Sequence, residues 1–149
     1  MEEIERKKRA DIIIIDNMLW SGLGGIIPLP FIDIASVAII QLKMINELCC
    51  EYKIDFSENI KKSIIISTIT GVMTDFLGKS TFRLISSMFG VFGTTAESLT
   101  TGFWGAAATY AIGKVFVKHF ESGGTLINFN FFEYKDYYKE KLKEAKNYG

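Results

Sequence analysis

The chain has 149 residues with 17 basic and 17 acidic side chains, so its formal net charge is zero. This balance argues against a nucleic-acid binder, which needs a basic excess on one face. Two cysteines and one histidine are too few for a zinc site of the Cys/His type. The length predicts a single domain over residues 1–149 that buries its core without a metal or a disulfide.

The N-terminal segment is predicted to form a helix over residues 2–23, ended by the glycines that flank Leu23. Glu5 and Arg9 have the spacing of a favourable ion pair within a helix. Four consecutive isoleucines at 12–15 are compatible with a strand. A helix is favoured because charged helix formers lead into them without a break.

The basic cluster at residues 6–9 has two interpretations. It suits contact with anionic lipid, but the interleaved glutamates favour an ordinary solvated helix end. The N-terminus lacks the pattern of a secretory signal, so a cytoplasmic location is expected, with membrane association left open. Uncharged runs at 17–32 and 98–113 have 16 residues each, fewer than the roughly 18 that a spanning helix needs. The first is predicted to be a turn because it contains both prolines, and the second is predicted to be a buried core helix.

The second helix is predicted over about residues 30–53, with the rest of the chain packed around it. Pro28 stops the preceding helix, and Pro30 suits the first turn of the next one. Asp33 lies in that first turn, where its charge suits the helix dipole. Gln41 falls on the apolar side, so its amide needs a partner. We expect Gln41 to brace a neighbouring helix, the alternative being contact with a ligand or a partner.

Two adjacent cysteines lie near the end of this helix. Cys49 and Cys50 point about 100° apart on a helix, which makes a disulfide between them implausible. Both are predicted to be small core side chains in a reducing compartment.

A stripe of small residues marks a later helix. After two helices predicted at about 57–77 and 81–89, a long helix is predicted from about 95 to 122. Small residues recur along it at spacings of three or four: Gly102, Gly105, Thr109 and Gly113. Such a stripe lets another helix approach closely, and the second helix is the expected partner.

The C-terminal part begins at the end of that helix. His119 lies in its last turn, where a cation is favoured, and the sequence identifies no catalytic partner for it. Gly123 and Gly124 are predicted to end the helix. Residues 125–147 are predicted to form an extended strap followed by an amphipathic helix that Asn130 caps. The predicted fold is therefore all-α, a compact bundle of about five to six helices built from two packed helical hairpins.

Two blocks of residues resemble a known family. They are Pro28-x-Pro-x-x-Asp33 with Gln41-x-x-Met44-Ile45 and Tyr52, and Gly102-x-x-Gly105-Ala-x-x-Thr109-Tyr110-x-x-Gly113 with Phe120-Glu-Ser-Gly-Gly124. The chain resembles the bacterial domain of unknown function family numbered 697, a YcjF-like, GTPase-associated helical domain, over about residues 10–124. The resemblance implies an all-helical fold, occurrence alone or behind Era-like or dynamin-like GTPase domains, and membrane proteins among the members. It carries over no catalytic residues, and any GTPase partner of this chain would act in trans.

Three functions are weighed on these grounds. We expect a non-enzymatic helical interaction module without a cofactor, which associates with a partner protein, with another copy of itself or with a membrane surface. The alternative is a soluble carrier of a small hydrophobic ligand, which needs an enclosed apolar cavity between the helices. An enzyme would need at least two polar candidates to converge in one cleft: Asp33, Gln41, Asp75, Tyr110 and His119.

Overall fold

The computed structural model describes residues 1–24, 32–56 and 95–147, with side chains over 1–23, 39–56 and 105–147. These residues form four α-helices and no strand. The helices are α1 (Glu2–Gly24), α2 (Ile32–Glu51), α3 (Thr95–Glu121) and α4 (Lys135–Asn147), with a 3-10 turn at Phe131–Tyr134 before α4. The all-α class is therefore confirmed for the described residues. The total of five to six helices and their pairing into two hairpins stay predictions, because the helices predicted between 57 and 89 lie outside them.

Helices α1 and α2 pack antiparallel. Arg9, near the start of α1, donates to Glu51 at the end of α2 over 2.7 Å. Further along, Asn17 of α1 donates to Glu47 of α2 over 2.7 Å. The pairing runs in opposite directions along the two helices, as expected for neighbours joined by a short connection.

Helix α3 packs on both of them and comes very close to α1. A Cβ atom added to Gly113 would lie 2.7 Å from Ile14 Cγ1 on α1 and 3.1 Å from Met44 Sδ on α2. Ser21 and Thr109 share a hydrogen bond of 2.8 Å, so α1 and α3 are also antiparallel. The prediction named the second helix alone as the partner of the small-residue stripe; at Thr109 and Gly113, α3 meets α1 as well as α2.

The core lies between these three helices and α4. Ion pairs and rings cover its edge, while its centre is built from aliphatic and aromatic side chains with the usual close packing. The buried hydrophobic side chains are Ala10, Ile14, Met44, Ile45, Leu48, Cys49, Ala107, Ala111, Ile112, Val115, Phe116, Val117, Phe120, Leu126, Tyr138, Leu142 and Ala145.

Helices α2 and α3 end in the same way. At each end one residue adopts a left-handed conformation: Lys53 with φ of 56° and Gly123 with φ of 84°. The following N–H bonds back to the helix, from Ile54 to Cys49 O over 2.7 Å and from Gly124 to His119 O over 3.0 Å. This is the Schellman pattern, and it confirms that Gly123 and Gly124 end α3.

The C-terminal segment differs from the extended strap that the sequence predicts. Residues 126–128 turn instead, because the Asn128 side chain accepts from the backbone N–H of Thr125 over 2.7 Å. Asn130 does cap the next element, accepting from Phe132 N over 3.2 Å. That element starts as a 3-10 turn before it becomes α4.

Two side-chain predictions on α1 and α2 are wrong. Arg9 bonds to Glu51 across the helix interface and not to Glu5, which pairs with Lys8 at 3.2 Å. Cys49 is buried, as predicted, but Cys50 is exposed. The 100° between neighbouring positions places only one of two adjacent cysteines on the core side.

The two thiols are expected to differ strongly in reactivity. Burial raises the pKa of the Cys49 thiol to about 12, which lowers its thiolate fraction near neutral pH about a thousandfold relative to an ordinary cysteine. A maleimide reagent is expected to label Cys50 alone in the native protein and both thiols in denaturant, as counted by mass spectrometry. A Cys50→Ser control should then show almost no native labelling, and rapid labelling of that control would contradict this orientation of α2.

Candidate functional site

The solvent-facing side of α1 carries large apolar side chains. Ile12, Ile15, Leu19 and Leu23 follow one another at helical spacing, and Trp20 flanks them. Their exposures are 66%, 50%, 60%, 55% and, for Trp20, 58%. We call these five residues the outer face of α1. A cluster of large exposed apolar side chains marks a site of interaction with protein or membrane.

The opposite side of the same helix is partly polar. Ala10, Ile14, Asn17 and Ser21 also follow one another at helical spacing, and all four are fully buried. Two of these four positions therefore hold polar side chains inside the protein, while isoleucine and leucine face outward. In water the reverse arrangement has the lower free energy, because burying polar groups and exposing apolar ones are both costly.

Asn17 is well satisfied in its buried position. Its amide nitrogen donates to Ile13 O over 2.9 Å and to Glu47 Oε2 over 2.7 Å. Its amide oxygen accepts from Lys43 Nζ over 3.3 Å. Lys43 and Glu47 also pair with each other at 2.8 Å along α2, so this network ties α1 to α2 at the rim of the core.

Gln41 of α2 lies deeper in the protein, where α2 meets α1 and α3. Its Nε2 donates to Thr109 Oγ1 on α3 over 3.3 Å, and that hydroxyl also bonds to Ser21 of α1. Gln41 is 1% exposed, and its Oε1 atom is buried without a hydrogen-bond partner in the described structure. This contact joins α2 to α3, as expected of a brace for a neighbouring helix. We call Asn17, Ser21, Gln41 and Thr109 the polar layer.

Replacing Gln41 by methionine is expected to stabilise the protein by about 1 kcal/mol. The change removes a desolvated acceptor and one long hydrogen bond, and Thr109 keeps its bond to Ser21. The control is Asn17→Leu, which removes three made hydrogen bonds and is expected to destabilise by about 2 kcal/mol. Urea unfolding followed by circular dichroism measures both. A loss of stability in Gln41→Met would mean that Oε1 has a bonding partner, such as a bound water.

Tyr110 and Gly105 lie beside the polar layer on α3. The Tyr110 hydroxyl donates to Glu144 of α4 over 2.7 Å. Hydrogen bonds from Lys141 and then from Tyr110 lower the pKa of Glu144, so this carboxylate holds α4 onto α3. Gly105 is half-buried and begins the part of α3 whose side chains are described.

The remaining predicted positions are only partly placed. Asp33 and Gly102 lie within the described backbone of α2 and α3, without a described side chain. Pro28, Pro30 and Asp75 lie outside the described residues. Of the predicted positions, the structure therefore brings Gln41 and Thr109 together in the polar layer, with Gly113 one helical turn further along α3.

A partly open groove of about 310 Å³ lies between α1, α3 and α4. It is lined by Asp11, Ile15, Met18, Tyr110, Lys114 and Ala145. The ion pair between Asp11 and Lys114 forms part of its wall. The groove is not the enclosed apolar cavity that a carrier needs, and the carrier function stays a prediction.

His119 clamps the C-terminal segment. Its Nε2 lies 2.9 Å from Thr125 O and 3.2 Å from Asn128 Oδ1, both acceptors, so we infer that Nε2 bears the proton. Nδ1 lies 3.0 Å from the Tyr134 hydroxyl, which then donates to it. Gly124 packs directly under the ring, where an added Cβ would lie 2.3 Å from Nε2.

The polar candidates for an enzyme have separate partners. Gln41 bonds to Thr109, Tyr110 to Glu144, and His119 to Tyr134. Within residues 1–24, 32–56 and 95–147, no group of three or more His, Cys, Asp or Glu side chains is placed to hold a metal ion. None of the helices formed by these residues combines the length and the hydrophobicity needed to cross a bilayer.

Comparison with known proteins decides the family. The family described as "Domain of unknown function (DUF697)" matches residues 3–146. The chain belongs to this family. The match is wider than the range of 10–124 over which the sequence blocks suggest it, and it takes in most of the C-terminal segment. No solved structure matches the chain.

A curated relative of this DUF697 chain is "Magnetosome membrane protein 22" from Magnetospirillum gryphiswaldense. The two are 32% identical over 145 residues, which cover 97% of this chain and 74% of the relative. The relative is thus similar over nearly the whole length of this chain, including the residues of α1.

The sequence blocks of the DUF697 resemblance do not include the outer face of α1. A partial signal for it exists in the sequence: from Ile12 onward α1 is mostly apolar, interrupted by Asn17 and Ser21 on the inner side and by Asp16 on the outer side. A helix that is apolar on all sides is either fully covered by protein or in contact with lipid. Deciding between these two requires knowing which side packs inward, which only the structure gives.

Proposed function

We propose that this protein is a non-enzymatic helical module that associates with a membrane surface through the outer face of α1. The observation that carries the proposal is the orientation of α1. Its polar side chains Asn17 and Ser21 face the protein interior, while its large apolar side chains face outward. A bilayer makes this arrangement favourable, since lipid removes the outer face from water while the buried polar groups bond among themselves.

The position of Trp20 supports the same orientation. Trp20 is 58% exposed and lies at the side of the outer face, and indole rings favour the boundary between lipid headgroups and acyl chains. Within residues 1–24, 32–56 and 95–147, α2 and α3 cover one side of α1, and the outer face lies on the other side. Such a one-sided apolar helix lies in the plane of the interface, with its apolar face among the upper acyl chains.

The membrane character of a relative supports the proposal independently. "Magnetosome membrane protein 22" is named as a membrane protein and is similar to this chain along 97% of its length. We therefore extend membrane association to this chain, with access from the cytoplasmic side as the expected location.

Flotation of the purified protein with lipid vesicles tests the proposal. The protein is expected to rise with the vesicles in a density gradient and to stay at the bottom without them. Its oligomeric state in lipid-free buffer, measured by light scattering after gel filtration, provides the second readout. A monodisperse protein that ignores every vesicle, whether monomeric or paired through α1, would contradict membrane association.

Protein partners are the competing occupants of the outer face. Association with another copy would show as a dimer whose formation depends on Leu19 and Leu23. A GTPase partner in trans rests on the family resemblance, and it would show as a complex that survives in the presence of vesicles and excludes them. Either result in place of vesicle binding would assign the outer face to protein.

A further inference from the structure

The basic residues of α1 are engaged within the protein. Lys7 pairs with Glu3 at 2.9 Å and with Glu121 of α3 at 3.6 Å. Arg9 pairs with Glu51 of α2 at 2.7 Å. Both basic side chains remain about half exposed, and the acids paired with them offset their charge.

Arg6 is directed inward as well. Its guanidinium carbon lies 5.0 Å from the centre of the Tyr52 ring, a cation–π contact with the end of α2. Lys7, Lys8 and Arg9 each have a glutamate beside them. The basic cluster of residues 6–9 therefore adds little net positive charge with which to attract an anionic surface.

The outer face itself has no basic excess. Glu5, Lys8 and Asp16 share the helix side of Ile12, at positions seven and four residues before it and four residues after it. Lys8 is paired with Glu5 at 3.2 Å, and Asp16 is exposed between the apolar side chains. An anionic headgroup would meet two acids and one paired base on this side.

From these contacts we propose that α1 selects electrically neutral, loosely packed lipid surfaces. This inference rests on the proposed membrane association and names the lipid class. Without electrostatic attraction, binding comes from inserting the five apolar side chains between headgroups. The row from Ile12 to Leu23 is about 17 Å long, and gaps that admit it are more frequent on highly curved membranes.

Flotation with four kinds of vesicle tests the inference. Small sonicated and large extruded vesicles are prepared from phosphatidylcholine alone and from phosphatidylcholine mixed with phosphatidylserine, each in low and high salt. Binding is expected to agree within about twofold between the two compositions and the two salt conditions. It is expected to be at least about fivefold greater on small vesicles than on large ones at equal lipid.

The variant Asp16→Lys sharpens the test. Reversing this exposed charge is expected to raise binding to phosphatidylserine vesicles at least about tenfold in low salt and to leave binding to pure phosphatidylcholine within about twofold. Wild-type binding that requires phosphatidylserine and disappears in high salt would overturn the inference and leave membrane association intact. An Asp16→Lys variant without altered binding would overturn it too, since Asp16 would then lie away from the lipid. Absence of binding to all four vesicle types is a different result, which refutes the proposed function itself.

Discussion

Replacing Leu19 and Leu23 together by glutamine is expected to weaken binding to small neutral vesicles about 30-fold. The two side chains are 60% and 55% exposed in the free protein. Transferring them from water to lipid contributes about 2 kcal/mol in total. Fluorescence titration or quantitative flotation measures the change in affinity.

The double substitution should leave the fold unaffected. Exposed helix positions away from special contacts change stability by less than about 0.5 kcal/mol, and glutamine is nearly as good a helix former as leucine. Urea unfolding of the variant is therefore expected to match the wild type. Loss of vesicle binding can then be assigned to the surface and not to unfolding.

The chain supplies a matched control for general hydrophobicity. Ile127 and Phe132 of the C-terminal segment are 73% and 76% exposed, so they present at least as much apolar surface as Leu19 and Leu23. Replacing both by glutamine is expected to leave vesicle binding within about twofold. Equal weakening by the two double variants would mean that the protein binds lipid without using a specific face.

Placing alanine at Gly113 is expected to destabilise the protein by about 2 kcal/mol. The new Cβ would lie 2.7 Å from Ile14 Cγ1 and 3.1 Å from both Ile14 Cδ1 and Met44 Sδ. Ile14 and Met44 are completely buried, so these side chains have little room to move, and overpacking of this kind costs about 1–3 kcal/mol. The cost exceeds the roughly 1 kcal/mol that alanine gains over glycine in a helix.

A double-mutant cycle identifies the clash. In an Ile14→Ala background the Cγ1 and Cδ1 atoms are absent, so Gly113→Ala is expected to stabilise that variant by up to about 1 kcal/mol, which corresponds to a coupling energy of about 3 kcal/mol. Ile14→Val keeps one of the two atoms and should recover only part of the effect, which provides a usable background if Ile14→Ala unfolds. Additive effects in the cycle would contradict the close approach of α1 and α3 at this position.

Local chemistry in the sequence predicted several features correctly. The end of α3 at Gly123 follows from the left-handed conformation that glycine adopts without strain. The role of Gln41 follows from the cost of burying an amide alone. The spacing of small residues around Gly113 predicted a close contact between helices. Glycine is unfavourable inside a helix, so its presence there indicates that another helix needs the space.

Features that depend on tertiary packing were not predictable in the same way. Arg9 has an acid at the helical spacing and another across the α1–α2 interface, and the structure pairs it with the second. Cys49 and Cys50 are the same residue type at adjacent positions, but the first is buried and the second is exposed. The outer face of α1 belongs to this class, since its exposure results from α2 and α3 packing on the side that carries Asn17 and Ser21.

The depth of Trp20 in a bilayer tests the central claim most directly. The chain has two tryptophans, so a Trp104→Phe variant leaves Trp20 as the only one, and vesicles of lipids brominated at different acyl positions report its depth. The account predicts a blue shift of Trp20 emission on binding, strong quenching by bromines close to the headgroup and protection from acrylamide. Vesicle-bound protein in which Trp20 stays accessible to acrylamide and insensitive to every brominated lipid would contradict it.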